Sequence, residues 1–185
     1  MQTMVHMTQQ HYRELVDLYS RPGEIRISGF DTSNYSTFSD STLATVLTLF
    51  DNEVSFSTSL KQDAEEFSTL TGAHCTENLD AEFVVVKAGE LTEKIFHEAA
   101  VGTLGSPEQS TTLIIEVPSI GEGQKYALRG PGIKDINTLE MTIDAGWMAL
   151  RSEKCLEFPL GIDLIIADQD NQLCVIPRTT KVEVK

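Results

Sequence analysis

The stretch IPRTTKVEV, from Ile176 to Val184, sets an arginine, two threonine hydroxyls and a lysine directly after an apolar run. An arginine fork matches the oxygens of a carboxylate or a phosphate, and hydroxyls satisfy backbone groups where a sheet runs out. Arg178 therefore has three readings: an ion pair with a carboxylate at a strand end, a contact with a partner protein, or a ligand to phosphate oxygens. Thr179 and Thr180 fit a structural role beside it. The carboxylate in reach is Asp163, in the apolar run that precedes. A two-residue hairpin turn at Asp170-Asn171 sets Arg178 opposite Asp163, and a four-residue turn keeps the two on one face as diagonal neighbours. An odd loop would place them on opposite faces. The expectation is an Asp163–Arg178 ion pair that pins the register of the C-terminal hairpin. Two basic groupings, Lys125/Arg129/Lys134 and Arg178/Lys181/Lys185, are candidates for holding an anion, and neither comes with a glycine-rich nest.

Other chemical signatures are missing. SIGEGQKY carries Gly121 and Gly123 but no GxxxxGK[ST] spacing, and a hairpin turn accounts for both glycines. RGPGI, from Arg129 to Ile133, reads as a turn by the same logic. No GxGxxG opens a helix, so a dinucleotide site has no support. His6, His11, His74 and His97 form neither HExxH nor a facial ligand set, and no metal site is expected. No serine lies in GxSxG, and no cysteine has a recognisable base motif. Cys75, Cys155 and Cys174 are odd in number and far apart, which suits reduced thiols in the cytoplasm better than a disulfide framework. The economical reading is a chain without a self-contained active site.

The elements that must position these residues follow from periodicity. Thr8–Ser20 has the spacing of an amphipathic helix with Tyr12, Leu15, Val16 and Tyr19 on one face, stopped by Arg21-Pro22-Gly23. Glu24–Ser28 alternates as a strand with Ile25 and Ile27 on one side, and Gly29–Ser39 reads as a loop. Asp40 or Ser41 caps a second helix carrying Leu43, Val46, Leu47 and Phe50. Val54 and Phe56 mark a strand, and Lys61–Thr71 a helix ended by Gly72. Glu82–Lys87 and Thr111–Val117 are strands around a helix at Glu90–Ala100. Pro118–Gly123 turns into a strand at Gln124–Arg129. Asp144–Cys155 is a helix with Trp147 and Leu150 inward, followed by strands at Ile162–Ala167 and Leu173–Ile176. This alternation predicts one α/β domain over residues 1–185, a sandwich whose mixed sheet is parallel in its middle and antiparallel towards the C-terminus.

A chain of 185 residues can bury roughly 70% of its unfolded surface, so no disulfide or metal is required to stabilise it. The net charge is −14, and between Ile27 and Val86 one lysine, Lys61, stands against ten carboxylates. Such a surface disfavours nucleic acid and anionic membrane, since both are held largely by Lys and Arg. It serves either as a solvated face or as a docking face for a basic partner. No apolar run approaches the ~20 residues of a bilayer span, and Met1–Gln10 lacks the pattern of a signal peptide.

The tail FPLGIDLIIADQDNQLCVIPRTTKVEV, Phe158–Val184, closely resembles the C-terminal signature of the H-subunit family of the bacterial carbon–phosphorus lyase complex. HYRELVDLYSRPGEI resembles that family's N-terminal helix, TLATVLTLFDNEVSFSTS its second helix and following strand, and GTLGSPEQSTTLIIEVPSI its central strand. The Lys61–Phe83 region departs most, which leaves open any partner contacts made there.

The resemblance implies a cytoplasmic pathway that breaks the carbon–phosphorus bond of alkylphosphonates. It implies partners of the G, I and J types, and a role with G, I and L subunits in the step where a phosphonate displaces adenine from ATP. It also implies a three-layer sandwich resembling the pyridoxal-phosphate-dependent transferase fold with the cofactor site lost, hence no cofactor, and a possible homodimer when isolated. The family supplies no catalytic residue to carry over. Two rival readings stand beside it. One is a stand-alone reduced pyridoxal-phosphate enzyme using Lys87, Lys94 or Lys125. The other is an acidic interaction module unrelated to phosphonates.

Overall fold

A computed structural model describes residues 4–30 and 37–185. The polypeptide forms an α/β structure around a seven-stranded sheet of order β1-β9-β8-β5-β4-β2-β3, with a separate three-stranded sheet of order β10-β6-β7. The strands of the large sheet are β1 (Arg26–Ile27), β2 (Ser55–Thr58), β3 (His74–Cys75), β4 (Phe83–Lys87), β5 (Thr112–Val117), β8 (Asp163–Asp168) and β9 (Gln172–Ile176). Those of the small sheet are β6 (Ile120–Arg129), β7 (Asn137–Met141) and β10 (Lys181–Val184). β2, β3, β4, β5 and β8 run parallel, and β9 and β1 close that edge antiparallel, as the alternation of elements implied.

The central strands are apolar on both faces because both are covered. On one face Val85, Ile114, Ile165 and Val175 pack with Leu15, Leu18, Leu43, Val46 and Phe67. Those residues come from α1 (Met4–Ser20), α2 (Asp40–Leu49) and α3 (Lys61–Thr71). On the other, Val86, Ile115, Leu164 and Ile166 meet Ile95, Phe96 and Met148 of α4 (Glu93–Glu98) and α5 (Ala145–Lys154), together with Tyr126, Leu128 and Leu139 of the small sheet. The β5–β6 connection is not a hairpin. β5 pairs only within the large sheet, while β6 crosses into the small one, where its register against β7 shifts between Ile120 and Gln124. Gly121 and Gly123 lie in that irregularity rather than in a turn between paired strands.

Local signals set most helix ends. Lys61–Thr71 ends at Gly72 in a left-handed conformation, φ 81°, as its sequence predicts. Ser39, rather than Asp40 or Ser41, caps α2, its hydroxyl accepting from the Thr42 N–H. α4 is shorter than expected, since Ala88–Glu90 forms a 3₁₀ turn before it. Trp147 and Leu150 are half-buried; the fully buried positions of α5 are Met148 and Arg151. The expected strand at Glu24–Ser28 shrinks to two residues, with Ile27 74% exposed.

The packed face of α1 is His11, Leu15 and Leu18, and the expected Tyr12 and Val16 are about half exposed. A polar histidine lies in the buried stripe, which rotates the face away from the purely apolar reading. Its Nε2 is 3.1 Å from Thr45 Oγ1, whose own proton goes to the Ser41 carbonyl at 2.8 Å. Nε2 therefore carries the hydrogen, and Nδ1 accepts from Ser28 Oγ at 3.4 Å.

Burial lowers the His11 pKa to about 4. The unfolded chain keeps the ordinary value near 6.5, so between the two values it binds more protons than the folded one. Stability is complete above that window and declines as pH falls through it, by on the order of 3 kcal/mol in all. Urea midpoints across this range are expected to fall more steeply for the parent than for His11→Gln. Parallel curves would contradict the assignment.

Candidate functional site

β8 opens at Asp163 and β9 ends at Ile176, after which Pro177–Thr180 makes a turn closed by Thr180 N–H on the Pro177 carbonyl at 2.8 Å. Asp163 accepts the backbone N–H of Arg178 at 2.6 Å and its Nε at 3.1 Å, with Nη2 on the same carboxylate. Arg178 Nη1 donates to the Pro107 carbonyl. The expected ion pair is present, but neither expected register is. Ala167 faces Leu173 and Leu164 faces Ile176, so the connection is an odd, three-residue loop. Asp168 accepts the N–H groups of Asp170 and Gln172, and Asn171 takes φ 60°, absorbing the additional residue. The pair survives because Arg178 lies beyond the end of β9, where strand alternation no longer fixes its face.

Glycines let the chain close around this corner. A Cβ on Gly161, at φ +145°, would sit 2.7 Å from Cys155 Sγ and 3.0 Å from Arg178 Cβ. A Cβ on Gly130 would meet the Thr179 carbonyl at 2.8 Å. A side chain at either site would push the 177–180 turn outward.

Sequence reasoning missed Arg151. It lies one helical turn beyond Met148 on the buried side of α5 and is 1% exposed. Nη1 donates to the Thr180 carbonyl at 2.6 Å and Nη2 to the Pro177 carbonyl at 2.5 Å, so the guanidinium ties α5 to the turn. No carboxylate of the described residues is within ion-pair distance of it. Burial pulls its pKa down from the ordinary arginine value, while Cys155 and Asp163 act in the opposite direction. Its Nε and the Thr180 Oγ1 are buried without a hydrogen-bond partner among the described residues. The available signal was a basic residue in register with a buried stripe.

Arg151 and the turn form one wall of a cavity of about 580 Å³, together with Arg178, Thr179, Thr180 and Lys181. Leu156, Phe158, Leu160 and Val182 supply apolar lining, and Leu156 and Phe158 are 83% and 78% exposed. Arg129 stands directly opposite Lys181 on the β6–β10 pair. The two basic groupings thus meet in part. Lys125 is instead paired with Glu140 at 2.8 Å, and Lys185 Nζ donates to Thr138 Oγ1 at 3.3 Å. The cavity wall is largely apolar, with Glu183 among its residues, Arg151 and Arg178 engaged by protein groups, and Lys181 as its exposed cation.

Comparison with known proteins identifies the lineage. The chain matches the family described as "Bacterial phosphonate metabolism protein (PhnH)" over residues 1–183. The chain belongs to the PhnH family. A relative from Stutzerimonas stutzeri, HtxG, named for a C-P lyase subunit, is 32% identical across 96% of this chain and 86% of its own length. The alpha-D-ribose 1-methylphosphonate 5-triphosphate synthase subunit PhnH of Rhizobium meliloti (strain 1021) is 33% identical across 97% of this chain and 92% of its own.

In this PhnH-family chain the carboxyl ends of the parallel strands, where open α/β sheets usually bind ligands, are filled by the protein's own groups. Glu116, at the end of β5, accepts the Ser39 N–H at 2.6 Å and the Thr42 hydroxyl at 3.0 Å, occupying the amino terminus of α2. Asp168, ending β8, accepts the Ile120 N–H at 2.8 Å. Lys87 donates to the Thr37 carbonyl at 2.7 Å and lies 4.0 Å from Glu116. Lys94 pairs with Glu98 on an exposed helix face. None of the three lysines lines the cavity beside Arg151, so these residues do not fit a pyridoxal phosphate held there as a Schiff base. Among the described residues no three His, Cys, Asp or Glu side chains cluster as metal ligands.

Proposed function

We propose that the chain is a subunit of a carbon–phosphorus lyase assembly, supporting synthesis of ribose 1-phosphonate 5-triphosphate from ATP and a phosphonate without catalysing it alone. The observation that carries this is the end-to-end family match, with full-length relatives named as subunits of that system. The corner around Arg178 agrees with a supporting role, since it offers hydrogen-bond donors and cations rather than a nucleophile paired with a base. G, I, J and L subunits are its expected partners, and a homodimer is expected for the free chain. Reduced thiols point to the cytoplasm, and among the described residues no helix is long and apolar enough to cross a membrane. The layered sheet with helices on both faces is read as descended from the pyridoxal-phosphate transferase fold. The engagement of Lys87 by Thr37 and Glu116 supports loss of that cofactor.

Co-expression with G, I and J subunits followed by size-exclusion chromatography tests the proposal. Co-elution is expected, while the isolated protein releases no adenine from ATP and methylphosphonate. Elution of the chain alone, or adenine release in proportion to its own concentration, would overturn the reading.

A further inference from the structure

We propose that the cavity between α5 and the Pro177–Lys181 turn binds an organic oxyanion with a phosphoryl-type head, its oxygens towards Arg151, Thr180 and Lys181 and its organic group against Leu156, Phe158 and Leu160. The inference deepens the phosphonate reading by naming a ligand class for a site on this subunit, and its test is independent of assembly.

The case starts from charge. The chain carries −14 overall, yet this corner gathers Arg151, Arg178, Lys181 and Arg129, with Asp163 and Glu183 as the carboxylates beside them. Asp163 is committed to Arg178, accepting from three of its donors, the backbone N–H, Nε and Nη2. That leaves Arg151 a buried guanidinium whose hydrogen bonds go to neutral carbonyls and whose electrostatic support from Asp163 is shared with Arg178, an arrangement that favours a further anion brought close to it. Arg129 and Lys181 stand directly opposite each other as an exposed like-charged pair, with Glu183 two residues on from Lys181 and on the same face.

Unused hydrogen-bonding capacity points the same way. Buried polar atoms are nearly always paired, and two of the five unpaired side-chain atoms among the described residues, Arg151 Nε and Thr180 Oγ1, belong to side chains in one cavity wall. Both residues are 1% exposed, so a ligand first meets Lys181 at the rim and reaches these atoms only as the turn moves outward. The volume, about 580 Å³, is that of a small-molecule site, and its mixed lining matches a ligand with one ionic and one apolar end. The cavity lies by the start of β8, at the opposite end of the parallel strands from the filled crevice.

Isothermal titration and thermal shift of the full chain, with phenylphosphonate, inorganic phosphate and ATP as separate probes up to about 10 mM, test this. Phenylphosphonate is expected to bind at least about tenfold more tightly than phosphate, because only it covers the apolar wall. Lys181→Gln is expected to weaken binding several-fold and Glu183→Gln to strengthen it. Thr180→Val gives the most specific signature: ligand-free melting unchanged or raised, since no hydrogen bond is lost, with binding reduced about tenfold. Tighter binding of ATP with the same responses to substitution would support the site and name a nucleotide triphosphate as the source of the head group. Absence of binding by all three probes, equal binding of phosphate and phenylphosphonate, or binding that ignores these substitutions would overturn the proposal.

Discussion

Replacing Arg151 with methionine is expected to destabilise the fold by roughly 3 kcal/mol, although it removes a buried charge. Two effects oppose each other. Removing a desolvated guanidinium recovers solvation free energy, and swapping a whole buried ion pair for hydrophobes is often neutral or stabilising. Here, however, only one side of the interaction goes. The carbonyls of Pro177 and Thr180 stay in place, fixed by the turn, and lose donors at 2.5 and 2.6 Å. Hydrogen bonds to a charged group contribute about 1.5–3 kcal/mol each, and methionine fills most of the volume without leaving a large cavity. Denaturant unfolding of parent and Arg151→Met provides the measurement. A variant as stable as the parent would mean that desolvation outweighs both hydrogen bonds, and that the arginine is retained for what it binds.

The parts of this corner that could be read from sequence are those governed by local chemistry. Gly72 ends α3 because a left-handed residue was needed there, and the central strands announced themselves as Val- and Ile-rich runs. Asp163 and Arg178 were recognisable as complementary charges near the ends of adjacent strands. Their register was not, because Asp168 and the left-handed Asn171 form an odd loop that an even-turn rule excludes. β7 and β10 were missed because their partner is β6, which leaves the main sheet; that choice depends on tertiary packing. His11 and Arg151 were missed for a common reason. Each is polar by type and buried by position, and only the folded chain supplies the partners, Ser28 and Thr45 for one and two turn carbonyls for the other. The lineage, by contrast, was legible directly in PLGIDL and IPRTT.

Asp163→Ala is expected to be the most damaging single change at the site, at roughly 3–5 kcal/mol, because it strands a charge that remains mostly buried. The side chains of Arg178 and Asp163 are 18% and 11% exposed, so solvent can take over little of the lost interaction. Three donors lose their acceptor at once, one of them the backbone N–H of Arg178, which no substitution at that position removes. Arg151 also loses the electrostatic support of the Asp163 charge. Arg178→Ala is expected to cost less, about 2–3 kcal/mol, because its own N–H still reaches Asp163 and only the side-chain bonds and the Pro107 contact disappear. The double variant should therefore be less damaged than the two single losses summed, with a coupling energy of about 1–3 kcal/mol that changes little with added salt. Unfolding midpoints of the four proteins at low and high ionic strength give this value. A coupling near zero would show that Arg178 is held by Pro107 and the turn geometry instead, leaving its charge available to the cavity.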